Sequence, residues 1–354
     1  VEDFEGAIQN ILFLCLVPVM IKYMLYSRPS MRTLSKKENS SVRCLACAHK
    51  CLIAEGKVGI CGVRKNIKGK LDLLVYGKAA AVHVDPIEKK PLYHFLPGSD
   101  IFSIGTVGCN FRCAFCQNWG ISQERKVVGT PLSPRQVNDA AGSVPSIAYT
   151  YNEPTIFFEY ARDIAKANPK KNHVFVSNGY FSEEAIKAMD FVDAINIDLK
   201  SFSDGFYKKN CGAGLEPILK NIKAIHKKGI WVELTTLLIP SENDSDSELR
   251  EIASFIKTID QDIPWHISGF HPDFKMLSKP QTQLKDLMRA YDIAKSEGLS
   301  YVYLGNIRSE EHNSTFCPKC HNLLISRSGF SVSTEGLKGG KCAKCGHLIK
   351  GVWS

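Results

Sequence analysis

The chain has 354 residues, which is enough for one large domain with small appendages. Its apolar content of 44% is typical of an ordinary globular protein. The formal net charge of +9 comes from scattered lysines without an arginine-rich tail, so it favours a solvated basic surface over a nucleic-acid-binding arm, which stays the weaker alternative.

Thirteen cysteines is an odd and unusually high number for this length. Most lie in three tight groups, with Cys211 alone and Cys15 near the start. Cysteine pairs spaced this closely suit metal ligation better than long-range disulfide bonds. We therefore expect a reducing, cytoplasmic compartment.

Residues 1–30 form an apolar leader with three competing interpretations. Its strongest run, residues 11–21, contains Pro18, ends before Lys22, and is shorter than the roughly 20 apolar residues that span a bilayer. Its first residues are acidic, unlike the basic start of a signal peptide. The leader is a start site placed too far upstream of Met31, an amphipathic membrane anchor over residues 7–26, or a membrane helix.

Residues 41–98 form a predicted cysteine-rich module and connector. Four thiolates stand in the pattern Cys44-x2-Cys47-x3-Cys51-x9-Cys61. They suit either zinc or an auxiliary [4Fe-4S] cluster that passes electrons inward, and spacing alone favours zinc only slightly. His49 is an alternative to one of the thiolates.

Residues 99–310 alternate apolar strand-like runs with segments of helical period. The predicted strands are 101–106, 147–151, 173–177, 194–198, 231–236, 265–269 and 301–304, and the predicted helices are 134–141, 155–167, 182–189, 216–228, 246–259 and 282–297. Alternation at about 30 residues per unit predicts an α/β fold whose parallel sheet is closed or partly closed into a barrel.

The first of these strands leads into the triplet Cys109-x3-Cys113-x2-Cys116. A protein normally caps each iron of a [4Fe-4S] cube with one thiolate, so three thiolates in one short loop leave the fourth iron open. Zinc sites and ferredoxin motifs usually supply pairs or fours at other spacings. Phe115 stands directly before the last cysteine of the triplet.

Polar side chains follow the next three strands, where catalytic groups of α/β barrels lie. They are Asn152 and Glu153, then Ser177 and Asn178, then Asp198 and Lys200. Such groups suit a cationic cofactor that carries an amino-acid end and a ribose: a carboxylate accepts from its ammonium, small polar groups hold its ribose, and a lysine meets its carboxylate. Each motif alone is also common turn and helix-cap chemistry.

Two further side chains are weaker catalytic candidates. Cys211 follows the fourth strand of the predicted barrel, where a lone buried thiol is the simpler interpretation. His271 follows the sixth strand, on the side that would face a substrate or cofactor.

Residues 314–354 form a predicted C-terminal module. Cys317-x2-Cys320 and Cys342-x2-Cys345 are two close pairs, which a glycine-rich hairpin can bring together around one tetrahedral zinc ion. The pattern predicts a zinc ribbon, with a rubredoxin-like iron site as the alternative.

The triplet and strand-end motifs together resemble the radical S-adenosylmethionine (SAM) superfamily. Residues 100–305 are similar to its pyruvate formate-lyase activating enzyme branch, in which Asn152-Glu153 stands at a Gly-Gly-Glu-like position but lacks the glycines. Residues 41–354 resemble the radical SAM proteins of the AmmeMemoRadiSam system, through the cysteine-rich opening, the segment Asp85-Pro86-Ile87-Glu88-Lys89-Lys90-Pro91-Leu92 and the terminal Gly351-Val352-Trp353.

The resemblance implies a partial (β/α)6-type TIM barrel that binds a [4Fe-4S] cluster through the triplet, and SAM through Phe115 and the strand-end groups. It implies reductive cleavage of SAM to a 5′-deoxyadenosyl radical that abstracts hydrogen from a substrate, most simply a protein. An electron donor such as ferredoxin or flavodoxin is implied, with Memo-like and AMMECR-type proteins as possible partners. RNA or a small metabolite as substrate, and a non-enzymatic iron–sulfur or zinc scaffold, are the alternatives.

Overall fold

The computed structural model describes residues 33–307, 309–329 and 331–354. Residues Thr33–Ser354 form one compact unit. The predicted leader at residues 1–30 lies outside the described residues, so its three interpretations stay predictions. Within the described part of the chain, no helix is long and apolar enough to cross a membrane.

Within the described residues, most strands of the central sheet are longer than the strands before and after it. The strands are β1 (Ser35–Glu38), β2 (Ser41–Cys44), β3 (Leu52–Ile53), β4 (Arg64–Ile67), β5 (Lys70–Leu73), β6 (Lys78–Ala79), β7 (Ala81–Pro86), β8 (Asp100–Gly105), β9 (Thr130–Pro131), β10 (Ser146–Tyr149), β11 (Asn172–Ser177), β12 (Ala194–Asp198), β13 (Trp231–Leu238), β14 (Trp265–Gly269), β15 (Val302–Gly305), β16 (Thr315–Phe316), β17 (Leu323–Ser328), β18 (Ser331–Ser333), β19 (Leu337–Lys338) and β20 (Lys341–Cys342).

Helices connect the central strands. They are α1 (Trp119–Ser122), α2 (Pro134–Ala141), α3 (Phe158–Ala167), α4 (Glu183–Lys187), α5 (Asp204–Phe206), α6 (Glu216–Lys227), α7 (Asp246–Ile259), α8 (Leu284–Ser296) and α9 (Glu310–Asn313). A 3-10 turn, Pro154–Phe157, precedes α3, and a π turn, Tyr207–Cys211, continues α5.

The central sheet has eight strands in the order β15-β14-β13-β12-β11-β10-β8-β7. Seven of them are parallel, and β7 pairs antiparallel with β8 at one edge. The predicted α/β fold with a parallel, barrel-type sheet is therefore confirmed. Within the described residues β15 and β7 do not pair with each other, so the sheet stays open.

Both faces of the sheet are covered, which explains the continuous apolar runs of its strands. All four residues of β10 are buried. The longer helices bury apolar residues on one face; α6, for example, buries Ile218, Ile222 and Ile225, which share one face at helical spacing. This core fixes where the carboxyl ends of the strands meet.

A buried ion pair joins the N-terminal cysteine-rich segment to the barrel. Arg64 of β4 and Glu159 of α3 are 2% and 0% exposed, and Arg64 Nη1 lies 3.0 Å from Glu159 Oε1. The Arg64 Nε–H donates to the Ile156 carbonyl at 2.8 Å, and the Leu34 N–H donates to the same carboxylate at 2.9 Å. Each charge is thus paired and hydrogen-bonded, as burial requires.

Gly108 permits the sharp turn from β8 into the cysteine triplet. Its φ is +88°, and a Cβ at this position would lie 2.7 Å from the Cys61 carbonyl oxygen and 2.8 Å from Val63 Cγ1. Only glycine accepts both the left-handed backbone and this close approach. The triplet therefore begins where the N-terminal segment touches the barrel.

The C-terminal strands β16–β20 pack against the last strand of the sheet. Tyr303 of β15 lies in one apolar cluster with Cys317 and Ile325. The Arg327 guanidinium donates to the Tyr93 carbonyl at 2.7 Å, so the C-terminal segment also contacts the connector before β8.

The Arg64–Glu159 pair yields a stability prediction. We expect Arg64→Leu to lower the free energy of unfolding by about 3–5 kcal/mol, because it leaves the buried Glu159 carboxylate unpaired. The matched control is Arg43→Leu, which removes the partly exposed pair with Glu38 and should cost much less, because water screens an exposed pair. Anaerobic urea unfolding measures both, and equal costs would contradict the role of the buried pair.

Candidate active site

A cavity of about 320 Å3 lies at the carboxyl ends of the parallel strands. It contains all three cysteines of the triplet and most of the predicted cofactor-binding side chains. From the predicted set, its lining includes Cys109, Cys113, Cys116, Phe115, Asn152, Glu153, Asn178, Asp198 and Lys200. The structure therefore brings these distant sequence motifs together in one place.

The cysteine loop is held on the π turn by backbone hydrogen bonds. The Arg112 N–H donates to the Cys211 carbonyl at 2.8 Å, and the Ala114 N–H donates to the Asn210 carbonyl at 2.9 Å. These bonds leave the three triplet thiols facing the cavity, where each can meet a metal.

The environment of the thiols fits a metal cluster. Burial raises the pKa of the Cys109 and Cys116 thiols, so without a nearby metal ion they would carry protons. The Phe111 N–H approaches Cys109 Sγ at 3.4 Å, and Ser122 Oγ lies 3.1 Å from Cys116 Sγ. Coordinated thiolates would accept these hydrogen bonds, which tune the reduction potential of iron–sulfur clusters.

Side-chain amides join the cysteine loop to the neighbouring strand ends. Asn152 Nδ2 donates to Thr106 Oγ1 at 3.0 Å and to the Gly108 carbonyl at 2.9 Å. Asn178 Nδ2 donates to Asn110 Oδ1 at 2.8 Å. These bonds fix the loop at both sides, which is a positioning role that the sequence alone did not indicate.

Glu153 faces the cavity, but much of its hydrogen-bonding capacity is used inside the fold. Its Oε1 accepts from the Thr155 N–H at 3.0 Å and from Ser177 Oγ at 2.8 Å, and its Oε2 accepts from the Asn178 N–H at 2.8 Å. Burial raises the pKa of its carboxyl group, against the effect of these donors. Ser177 is not among the described residues that line the cavity, so its predicted cofactor contact stays a prediction.

Asp198 and Lys200 present opposite charges to the cavity. Lys200 Nζ lies 2.9 Å from Asp198 Oδ2 and 5.8 Å from the centre of the Phe115 ring. Although burial works against its charge, Asp198 and the Cys113 thiol raise the pKa of Lys200 well above its usual value. Lys200 is therefore positively charged beside the cysteine loop.

The two weaker candidates lie outside the cavity lining. Cys211 is fully buried, and a hydrogen bond from its thiol lowers the pKa of Cys113 more than burial raises it. His271 is exposed, and its Nε2 lies 3.1 Å from Gln117 Nε2 at the rim. Their catalytic roles stay predictions.

The last three parallel strands also contribute polar groups that the sequence analysis missed. Thr235, Ser268 and Asn306 line the cavity from β13, β14 and the turn after β15. Asn306 has a left-handed backbone with φ +59° and donates from Nδ2 to the Gly269 carbonyl at 2.9 Å. Only Asn306 follows its strand, as the strand-end rule requires, whereas Thr235 and Ser268 lie inside β13 and β14.

The four C-terminal cysteines converge on one point. Their sulfur atoms all lie within 4.8 Å of one another, with Cys317 and Cys345 at 3.6 Å and Cys320 and Cys342 at 3.7 Å. Such a group can bind one metal ion.

The two halves of this cysteine group have the same backbone hydrogen bonds. The His321 N–H donates to the Cys317 carbonyl, and the Gly346 N–H donates to the Cys342 carbonyl, both at 2.9 Å. The two donors have similar left-handed backbones, with φ of +56° and +72°. Each pair is thus a tight knuckle that presents two sulfurs to the same point.

The four N-terminal cysteines surround a separate small cavity. Cys44, Cys47, Cys51 and Cys61 all contribute to its lining. Within residues 33–307, 309–329 and 331–354, the C-terminal group alone has three or more potential ligand atoms that all lie within 4.8 Å of one another. The sulfur atoms of the predicted N-terminal metal site are therefore farther apart than those of the predicted C-terminal site.

The sequence model of the radical SAM superfamily matches residues 103–256, which include the triplet and the strand ends through β13. The chain belongs to the radical SAM superfamily. Membership implies a [4Fe-4S] cluster and SAM as cofactors, and it makes the protein an enzyme with oxidoreductase-like chemistry. The placement of the triplet in this cavity makes Cys109, Cys113 and Cys116 the candidate cluster ligands.

The chain is also similar to several known proteins. An uncharacterized protein of Methanocaldococcus jannaschii is 42% identical over 324 residues, which cover 89% of this chain and 96% of the relative. The pyruvate formate-lyase-activating enzyme of Clostridium pasteurianum is 24% identical over 181 residues, or 46% of this chain and 74% of the enzyme. The structure of a domain of such an enzyme from Bacteroides vulgatus has a TM-score of 0.40 and 18% identity, covering 46% of this chain and all but 1% of that domain.

The neighbouring thiols Cys113 and Cys211 allow a matched test of ligation. We expect Cys113→Ala to remove about four iron atoms per chain, the content of one cube, because this thiol faces the cavity. Cys211→Ala should keep the iron, since Cys211 is fully buried and does not line the cavity. Iron and sulfide analysis after anaerobic reconstitution measures both, and iron loss in Cys211→Ala would show that a fourth protein thiolate binds the cluster.

Proposed function

We propose that the protein cleaves SAM reductively and abstracts a hydrogen atom from a protein substrate, as a glycyl-radical activating enzyme does. The observation that carries this proposal is the set of three cavity-facing thiols beside a Lys–Asp pair, in one cavity at the strand ends. When bound, the cluster and SAM would supply the electron transfer and the 5′-deoxyadenosyl radical. The chain itself binds, orients and shields these groups.

The charges of the cavity complement the amino-acid end of SAM. Lys200 suits the carboxylate of the cofactor, because it is a partly buried cation beside the cysteine loop. The remaining acceptor capacity of Glu153 Oε2 suits the ammonium group, and Asn178 provides a polar wall for the ribose. Asp198 holds the lysine in place.

Aromatic side chains shield the cavity from water. Phe111 and Phe115 are 1% and 4% exposed and form part of the lining. At the rim, the Trp119 ring stacks on Phe274 with 5.4 Å between ring centres, and its Nε1–H donates to Asp273 Oδ1 at 3.2 Å. Apolar side chains among the charged and polar groups of the wall suit radical chemistry, because they limit the access of water to the reacting atoms.

A second, larger cavity supports a macromolecular substrate. It has a volume of about 990 Å3 and shares Lys89, Pro91, Ser268 and Asn306 with the first. It continues past Arg327 of the C-terminal segment to the outside. This is enough space for a segment of polypeptide to approach the cofactor, as the activating-enzyme relatives lead us to propose.

Partners follow from the same proposal. Cleavage needs one electron from a low-potential donor, and a ferredoxin or flavodoxin is the class that we propose. Memo-like and AMMECR-type proteins remain proposed partners through the resemblance of residues 41–354 to the AmmeMemoRadiSam proteins.

The C-terminal cysteines have the spacing expected for zinc. Four sulfurs at about 2.3 Å from a tetrahedral ion lie about 3.8 Å from one another, close to the 3.6 and 3.7 Å between the two sulfur pairs. We propose that Cys317, Cys320, Cys342 and Cys345 bind one zinc ion with a structural role. Zinc analysis of Cys320→Ala should show the loss of this ion.

Formation of 5′-deoxyadenosine tests the proposed function. We expect the reduced protein to produce it from SAM, and Cys113→Ala to produce none. Lys200→Gln should raise the Kd for SAM about 10–100-fold, because it removes a charged hydrogen bond. The control Lys220→Gln removes an exposed lysine paired with Glu183 and should change little.

Two outcomes would contradict the proposal. If the reduced protein forms no more 5′-deoxyadenosine than Cys113→Ala, it does not cleave SAM. If Lys200→Gln binds SAM as tightly as Lys220→Gln does, the cofactor carboxylate lies elsewhere.

A further inference from the structure

We propose that Cys44, Cys47, Cys51 and Cys61 bind a second [4Fe-4S] cluster, which passes electrons to the cluster at Cys109, Cys113 and Cys116. The assignment of the metal stands on the N-terminal segment alone, whereas the electron transfer rests on the proposed function. Spacing slightly favoured zinc, but the geometry favours the cluster.

The first argument is the width of the site. Cys44, Cys47, Cys51 and Cys61 line one small cavity, yet among the described residues no three of their sulfur atoms lie within 4.8 Å of one another. Four sulfurs around one zinc ion would lie about 3.8 Å apart. A [4Fe-4S] cube holds each sulfur on a separate corner iron, and its core fills the centre.

The second argument is the separation of the sulfurs. The C-terminal sulfurs, which suit one shared metal ion, approach in pairs at 3.6 and 3.7 Å. Within the described residues, the four N-terminal thiols form no such S–H···S contact with one another. Zinc and [2Fe-2S] sites place two or more sulfurs on one metal, so wide separation favours the cube.

The third argument is an unsatisfied buried donor in the cavity wall. Asn110 lines this cavity and is 1% exposed, and its Nδ2 has no hydrogen-bond partner among the described residues. The amide orientation is fixed, because the Tyr180 N–H donates to Asn178 Oδ1 and so directs Asn178 Nδ2 to Asn110 Oδ1. A buried donor of this kind needs an acceptor, which a sulfide or thiolate of a cluster provides.

The N-terminal site adjoins the SAM cavity through two direct contacts. His49 Nε2 lies 2.9 Å from the Asn110 carbonyl oxygen, and Asn110 follows the ligand Cys109. The Cys61 carbonyl lies close to Gly108, on the other side of Cys109, where an added Cβ would be 2.7 Å from its oxygen. A cluster at the N-terminal cysteines would thus be one or two residues from a ligand of the other cluster.

The proposed transfer balances with one external reductant. A low-potential protein donor of the ferredoxin or flavodoxin class gives one electron to the N-terminal cluster and is itself oxidised. The N-terminal cluster passes this electron to the cluster at the triplet and returns to its oxidised form. No bond in the chain forms or breaks in this step.

Metal analysis of the full chain tests the assignment without a variant. Anaerobic reconstitution with iron and sulfide should give about eight iron atoms per chain, four for each cube, and about one zinc at the C-terminal cysteines. About four iron atoms with two zinc ions would overturn the proposal, and about six iron atoms would replace the cube with a [2Fe-2S] cluster.

Two cysteine variants assign the iron to its sites. Cys109→Ala/Cys113→Ala/Cys116→Ala should retain about four iron atoms, with an electron paramagnetic resonance (EPR) signal that SAM does not change. Cys47→Ala/Cys51→Ala should lose about four and keep the signal that SAM changes. Absence of iron from the triplet variant, in protein that still binds its C-terminal zinc, would overturn the assignment.

The electron transfer has its own readout in the intact protein. With both clusters reduced, we expect spin–spin broadening of the EPR signals, because the sites adjoin. A ferredoxin or flavodoxin should reduce the triplet cluster in the wild type and not in Cys47→Ala/Cys51→Ala, while dithionite reduces it in both. Equal reduction by the protein donor would overturn the relay, and failure of SAM cleavage with both clusters present would instead contradict only the proposed function.

Discussion

The account depends on how the cysteine loop is held against the strand ends. Asn152 binds the start of the loop through Thr106 and Gly108, and Asn178 binds it through Asn110. Because Asn178 and Asn110 are buried, a shift of the loop would leave their donors and acceptors unpaired, at a cost of roughly 1–3 kcal/mol for each group. The triplet thiols therefore face the cavity in one fixed arrangement.

The three cysteine groups illustrate how geometry selects a metal. The C-terminal sulfurs converge in two equivalent knuckles, as a single tetrahedral ion requires. The N-terminal four line a small cavity without converging on one point. The central three line a cavity with charged and polar walls. Each group thus contains closely spaced cysteines in the sequence, but the distance between the sulfur atoms differs from group to group in the fold.

Much of the fold could be predicted from the sequence, because its strands are continuous apolar runs and its helices have clear apolar stripes. The seven parallel strands and the cavity at their ends follow from that pattern. The role of Asn110 could not be predicted. Its Nδ2 has no hydrogen-bond partner among the described residues because the Tyr180 N–H, which donates to Asn178 Oδ1 across the fold, sets the orientation of the neighbouring amide. Likewise Arg64–Glu159 joins residues 95 positions apart, and the cavity-lining Thr235, Ser268 and Asn306 lie in unremarkable local sequence.

The central claim is that the triplet leaves one iron without a protein ligand. EPR of the reduced protein, with and without SAM, tests it most directly, together with SAM carrying 15N or 17O at its amino-acid end. We predict that SAM changes the cluster signal and that these nuclei couple to one iron. An unchanged signal, from a cube with protein ligands on all four irons, would contradict the account.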